Sequence, residues 1–407
     1  MPATFVGFGF GPIQTGLMLL EAMESGSFTR FVVAEVDQGL VDAVRGAGSA
    51  VTVNIAGKAG IRRRKLDGVE LFNPRVASDR RAIVTAIAEA TELATAIPSV
   101  SLYAAGGNAS VAALLAEAIT PDRQRILYTS ENNNFAAELL EEELRARAPK
   151  EKLASLQVLN TVIGKMSGVI SSAEEMRRLG LAPLVPGFEK CVLVEEFNRI
   201  LVTRITLPGF VRGIRVFAEK DDLLPFEEAK LYGHNAIHAL LGYVAQLRGD
   251  EVMSRIREDG ELLSLGRTAF LEESGAALIR KHGATGDPLF TAAGYREYAE
   301  DLLERMTNPF LHDRVDRVIR DPRRKLAWND RLFGTMRVCL QMGVEPVTMA
   351  VGAAAATSFA LKSEPGAGTD PGSYLAGLWG DEAVGGEREK CLALVAEALP
   401  GLGRWAR

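Results

Sequence analysis

Residues 4–16 read TFVGFGFGPIQTG, a short apolar strand that runs into glycines at 7, 9 and 11 and then into a helix. Beyond Pro12, the residues Ile13, Leu17 and Leu20 recur at helical spacing on one face. Pro12 suits a first helical position, where its missing N–H is not needed. A turn of the form G-x-G-x-x-G lets the backbone approach a pyrophosphate, which then rests on the helix N-terminus. Here Pro12 stands at the third glycine position and glycines fall at 11 and 16. With 40 glycines in the chain, spacing alone says little. The context says more: a strand before, a helix after, and an acidic residue at the right remove. Phe31–Ala34 is a continuous apolar run, the pattern of a strand buried on both faces, and it ends at Glu35, Val36 and Asp37. A carboxylate at Glu35 would accept from adenosine ribose hydroxyls and repel a 2′-phosphate, so NAD is expected over NADP. Gly7, Gly9, Phe10, Gly11, Pro12, Ile13, Glu35, Val36 and Ser99 are the expected coenzyme-binding residues. Arg62, Arg63, Arg64 and Lys65 could hold a 2′-phosphate, but they lie well past the second strand and read as a solvated basic edge.

Outward from this turn, helices and strands alternate: 82–93 helical, 94–98 extended, 109–119 helical, 126–130 extended, 135–148 helical. Alternation of this kind means a parallel, doubly wound sheet. After about residue 204 the chain reads almost wholly as amphipathic helices, at 225–248, 250–258, 261–282, 292–307, 329–341, 345–362 and 386–398. A Gly- and Pro-rich loop is expected over Ser363–Ser373. The fold class is therefore α/β: an N-terminal Rossmann-like doubly wound parallel sheet over 1–204, then a mostly α-helical C-terminal domain over 205–407.

The length of 407 residues suits two domains, and 47% hydrophobic with 24% charged residues is ordinary for a globular chain. A net charge of -5 argues against nucleic acid or an anionic membrane as the main partner. Cys191, Cys339 and Cys391 make no CxxC pair, so a reducing compartment fits. The first strand begins almost at Met1, with no room for a signal peptide, and no apolar run reaches the roughly 20 residues of a membrane helix. A cytoplasmic protein is expected, a monomer or small homo-oligomer acting on a small molecule.

The second informative stretch is KLYGHNAIHA, residues 230–239. On a regular helix, 100° per residue sets Lys230, His238 and Asn235 at about 0°, 80° and 140°, one broad face. Oxidising a secondary alcohol without a metal needs a base for the hydroxyl proton and donors for the forming alkoxide. A lysine serves as base if its surroundings lower its pKa, and an asparagine N–H stabilises the developing charge. Without further context the same residues read as a core histidine and a snorkelling lysine.

The pattern K-x4-N-x2-H resembles that of the long-chain polyol dehydrogenases, and the chain looks most like their mannitol-1-phosphate 5-dehydrogenase branch. VGFGFGPIQTG and VAEVDQGLVDAV sit where that family has its dinucleotide turn and acidic strand end. SENNNF resembles its segment after the last Rossmann strand. FLEESGAALIRKHG and NPFLHDRVDRVIRDPRRKLAWNDRL resemble its helical domain. The resemblance implies Lys230 as general base, Asn235 and Asn132 as oxyanion donors, and His238 binding or orienting the reacting oxygen. It makes Glu227 a plausible proton exit. Arg324 and Arg331, in the R-K-L-x4-D-R pattern, are implied for the substrate.

The chain departs from the family at Val162-Ile163-Gly164-Lys165-Met166, where an Asp-Arg pair is usual. Lys165 keeps the charge but not the bidentate fork, so it is expected to help bind substrate while leaving its identity open. His234 and His238 form an H-x3-H pair with no third metal ligand evident, and no metal is expected. The helix around Glu272 and Glu273 reads simply as amphipathic. The expectation is an NAD-dependent oxidoreductase that interconverts a hexitol 1-phosphate and a 2-keto sugar phosphate. The alternatives are the same chemistry on an unphosphorylated polyol or sugar acid, and an NAD-binding sensor without catalysis.

Overall fold

A computed structural model describes residues 3–382 and 385–406. The chain divides into two compact units, Met1–Leu224 and Pro225–Arg407. Residues 205–224 belong to the first. The reason is local pairing: Ala218–Lys220 lies parallel to Leu201–Thr203, which itself pairs antiparallel with Thr161–Val162.

The centre of the first unit is a six-stranded parallel sheet in the spatial order Val69–Phe72, Phe28–Ala34, Ala3–Phe8, Ala90–Thr95, Arg125–Thr129, Leu156–Leu159. Numbered among themselves along the chain, these strands run 3-2-1-4-5-6, the doubly wound dinucleotide order. Alternating side chains of the first strand explain its place. Phe5 packs into the apolar layer on one face and Val6 and Phe8 into the layer on the other. A strand so wrapped must sit in the middle. The helices Ala77–Glu89, Val111–Ala118 and Ala136–Arg145 cover the Val6 face.

A second sheet was not legible in the sequence. Ala50–Ala56 and Ile61–Asp67 form an antiparallel hairpin, extended by Cys191–Glu195 and Ser167–Ile170. The basic run 62–65 lies on this hairpin. Arg62 pairs with Glu196 at 3.0 Å, Arg64 with Glu24 at 3.2 Å, and Lys65 with Asp67 at 2.6 Å. It is a charged, ion-paired strand edge, as expected.

The second unit is helical, and its backbone is one helix from Leu224 to Arg248 that passes through a π turn at Ala229–Asn235. Val347–Ser363 packs on its C-terminal half with a run of buried alanines. Glu273, on a helix that reads simply as amphipathic, is 5% exposed. Its carboxylate accepts from Thr348 N at 2.6 Å and Met349 N at 2.8 Å, so it caps the long helix from another element. The Gly- and Pro-rich loop ends earlier than Ser373: Asp370 accepts from Ser373 N and starts a helix over Pro371–Trp379. No helix among the described residues is long and apolar enough to cross a membrane.

Candidate active site

In the first unit, the turn at Gly7–Gly11 opens into a cavity of about 510 Å³ at the carboxyl ends of the parallel strands. Such sheets bind ligands there, where the strand order reverses. The lining includes Gly9, Phe10, Gly11, Pro12, Ile13, Glu35 and Val36. Gly9 has φ +80°, and a Cβ there would sit 2.7 Å from the Ala96 carbonyl oxygen, so only glycine fits. A Cβ at Gly11 would meet nothing within 4 Å, which leaves the backbone open to a ligand. Gly16 takes the role of the displaced third glycine: a Cβ there would strike Val194 Cγ1 at 2.5 Å, so the helix lies directly on the second sheet.

Gly7 is set behind the cavity, against the fully buried Gln14 side chain. Ser99 also turns away from it. Its hydroxyl caps a short 3₁₀ turn by accepting from Ser101 N and meets Ser101 Oγ at 2.8 Å. Glu35 holds the mouth together: Oε2 accepts from Phe10 N at 2.8 Å, and Oε1 from Val36 N at 2.7 Å and Asp37 N at 2.9 Å. An ionised carboxylate has about four acceptor positions, so one remains for a ribose hydroxyl. Glycine turn, helix start and carboxylate together fit the pyrophosphate and ribose of a dinucleotide.

Asn132 is exposed in the turn that follows the strand Arg125–Thr129. Its neighbour Glu131 is buried and ties that turn to the cavity wall, accepting from Thr95 Oγ1 at 2.8 Å, from Ile97 N at 2.9 Å and from the Tyr103 hydroxyl. Lys165 is buried within the first unit, where Nζ donates to the Phe197 carbonyl at 2.7 Å.

In the second unit the π turn changes the expected wheel. A π turn closes i→i+5 hydrogen bonds, so residues five apart stack one above the other. Asn235 therefore lies one turn above Lys230 rather than about 140° away from it. Such a turn leaves backbone groups poorly satisfied, and neighbouring hydroxyls compensate. The Tyr232 carbonyl accepts from Ser274 Oγ at 2.9 Å and Thr335 Oγ1 at 3.2 Å, and the Ala229 carbonyl from the Tyr298 hydroxyl at 3.3 Å. Burial lowers the pKa of Lys230 from 10.5 to about 8, with Glu227 opposing and Arg331 adding to the fall.

His234 is buried, and burial, followed by the neighbouring Arg305, His238, Lys230 and Arg331, holds its pKa well below 6.5, so it is neutral at pH 7. His238 Nε2 lies 2.8 Å from Asp313 Oδ2, within ion-pair distance but out of line for a hydrogen bond. Asp313 Oδ1 accepts from Arg317 at 2.8 and 2.6 Å. Burial works against the Asp313 carboxylate, but His238 and Arg317 outweigh it and hold its pKa below the usual 3.8. Among the described residues no three His, Cys, Asp or Glu side chains converge as a metal centre would require.

Arg331 is mostly buried beside Asp330 at 2.8 Å. Arg324 is half exposed and pairs with Asp321 at 3.2 Å on the surface. Two residues escaped the sequence reading. Asp313 stands 75 positions from His238 (313 − 238), with no spacing to link them. Lys325 reads as one of many surface cations, yet it is 3% exposed, donates to the Arg320 carbonyl, and has its pKa lowered to about 8 by burial, then by Arg331 and Arg324. Its sequence signal was faint: a lysine next to the apolar Leu326, on a short helix begun by Pro322.

Residues 222–383 match the family model for the mannitol dehydrogenase C-terminal domain. The chain is 28% identical over 357 residues to a mannitol-1-phosphate 5-dehydrogenase of Brevibacillus brevis, covering 87% of this chain and 85% of the relative. Its fold is similar to that of a D-sorbitol dehydrogenase (TM-score 0.76, 14% identity, 99% of this chain and 95% of the other). It is also similar to the Pseudomonas fluorescens mannitol 2-dehydrogenase solved with NAD and D-mannitol (TM-score 0.70, 15% identity, 99% and 92%). Residues 222–383 thus resemble the mannitol dehydrogenase C-terminal domain, in a chain whose fold is similar to that of these two polyol dehydrogenases.

Proposed function

We propose that the chain is an NAD-dependent, metal-independent dehydrogenase with Lys230 as general base, acting on a hexitol 1-phosphate and its 2-keto sugar phosphate. The observation that carries the reading is a lysine whose pKa is lowered to about 8, stacked by a π turn beneath an asparagine. A base works best when its pKa lies near the working pH. The coenzyme, when bound, supplies the hydride acceptor, and Gly9, Gly11, the start of the helix at Pro12 and Glu35 are the residues that would hold it. Lys230 takes the carbinol proton at Nζ. Asn235 donates to the oxygen as charge develops on it, and Asn132 is the second donor in this scheme. Glu227, which favours the charged lysine, receives the proton on its way to solvent.

Charge favours a phosphate on the substrate. Arg331 depresses the pKa of both Lys230 and Lys325, so three basic side chains share one neighbourhood in which burial penalises the two lysines. Asp330 offsets part of this. A phosphate group would relieve the remainder, and Arg331 can grip it bidentately. The relative from Brevibacillus brevis, named for a sugar phosphate, supports the same choice. The structural relative solved with D-mannitol favours a second reading, a free polyol.

NADH oxidation over a panel of keto sugars, each with and without phosphate, decides between them, with Lys230→Ala as control. Turnover highest on fructose 6-phosphate is expected. Faster turnover of free fructose would select the free polyol. Saturable NADH binding with no turnover on any sugar would leave a sensor.

A further inference from the structure

We propose that Asp313 is a positioning residue that fixes the ring of His238, with the Nε2 edge turned to the carboxylate and Nδ1 left to face a substrate hydroxyl. The inference rests on the dehydrogenase reading above and adds to it the direction in which His238 works.

The geometry is asymmetric. Asp313 is buried, with a side chain 2% exposed, and its two oxygens are divided. Oδ1 is taken by two N–H groups of Arg317, one turn along on the helix Val315–Ile319, so the carboxylate cannot swing toward solvent. Its backbone is held as well, since the Asp313 carbonyl accepts from Met253 N at 2.8 Å. Oδ2 is left for His238 Nε2 at 2.8 Å. An ionised carboxylate only accepts, so the proton on a neutral His238 belongs on Nε2. Nδ1 then carries a lone pair, and it has no hydrogen-bond partner among the described residues.

This orientation gives His238 a specific task. Nδ1 as an acceptor takes a hydrogen bond from a hydroxyl O–H and offers nothing to an alkoxide. His238 therefore holds the alcohol through its O–H or reads a neighbouring hydroxyl, and the donation to developing negative charge falls to the asparagines. Without the carboxylate, the ring is free to adopt the other tautomer or to rotate. A polyol then loses one oriented contact. Carboxylate–imidazole pairs fix a tautomer in this way wherever a histidine must present one chosen nitrogen.

The test is a double-mutant cycle with a spectroscopic arm. Asp313→Asn, His238→Gln and the double variant are assayed for kcat/KM on the best keto sugar, and NADH affinity is measured by fluorescence. Asp313→Asn should lower kcat/KM at least tenfold with NADH affinity within twofold of wild type. The double variant should be no worse than His238→Gln, because Asp313 acts through that ring. The chain has only four histidines, so ¹⁵N-histidine spectra are assignable, with His238→Gln identifying the signal. Wild type should show the Nε2–H form, and Asp313→Asn should shift it. Activity of Asp313→Asn within twofold of wild type, losses that multiply in the double variant, or an unmoved His238 signal would each overturn the assignment.

Should Asp313→Asn not fold, Asp313→Glu takes its place. A moved signal with lowered kcat/KM supports the assignment, and an unmoved signal refutes it. The spectra need no substrate, so they judge Asp313 alone. A wild-type enzyme without turnover on any sugar would count against the dehydrogenase reading instead.

Discussion

Replacing Lys230 by methionine should make the protein nearly inactive and, at neutral pH, more stable. The side chains are similar in length, and the change removes the amine alone. With its pKa lowered from 10.5 to about 8, the ammonium form is disfavoured in the folded state by about 3 kcal/mol, at roughly 1.4 kcal/mol per pKa unit. The unfolded chain binds more protons than the folded one between pH 8 and 10.5. Stability of the wild type therefore rises with pH across that window, and the penalty is felt in full below about pH 8. The methionine variant escapes it. Its gain over wild type at pH 7 is at most about 3 kcal/mol, or roughly 6–12 °C in Tm for a unit of this size. Glu227 loses the charge it faces, which trims that figure.

The gain should shrink as pH climbs from 8 toward 10.5. Turnover should fall by about 10²–10⁴ on the high-pH plateau, the usual share of a general base, and by less below pH 8. In wild type, alcohol oxidation should rise with pH to a plateau, with an apparent pKa of about 8. Thermal melts at pH 7 and 10 with parallel rate profiles make the check. A variant no more stable than wild type at pH 7, or one that keeps a tenth of the activity, would refute the reasoning.

Glu35→Ala should weaken NADH binding about tenfold, near 1.4 kcal/mol, and narrow the preference over NADPH, as read by fluorescence titration with both coenzymes. Equal affinities before and after the change would remove Glu35 from the site. Glu273→Ala leaves Thr348 N and Met349 N without their acceptor and should cost about 1–3 kcal/mol in urea unfolding. Thr335→Val together with Ser274→Ala strips both hydroxyls from the Tyr232 carbonyl. Turnover should fall in that variant while NADH affinity, set in the first unit, is unchanged. Arg324→Ala should leave KM for the sugar within twofold, whereas Arg331→Ala should raise it tenfold or more. The reverse order would reassign the phosphate contact.

The fold was legible where its signals are local. The strand Ala3–Phe8, its glycine turn and the helix beyond declare themselves through period and turn chemistry, and the parallel order follows from alternation. The second sheet did not show, because Ile61–Asp67 carries four consecutive basic residues that mask its period of two. Its partners are also distant: Ala50–Ala56 pairs with Cys191–Glu195, about 140 residues away. The site divides in the same manner. Lys230, Asn235 and His238 fall within nine positions and could be read together. Asp313 reaches His238 from the loop before the helix Val315–Ile319, and Glu273 caps a helix that starts 74 positions later (347 − 273), so only tertiary packing discloses either. The π turn has no propensity code of its own. It exists because Ser274, Thr335 and Tyr298 wait on neighbouring elements to satisfy it.

That wide turn also bears on the number of residues in the segment, apart from their identity. A π turn holds one residue more than the helical turn it replaces, so removing one residue between Lys230 and Asn235 would let the coil tighten to an ordinary helix with the two still one turn apart. Ile237, Leu240, Leu241 and Val244, all wholly enclosed, would keep nearly their present seats. An extra residue beyond the turn has no such reservoir and would rotate everything downstream by about 100°.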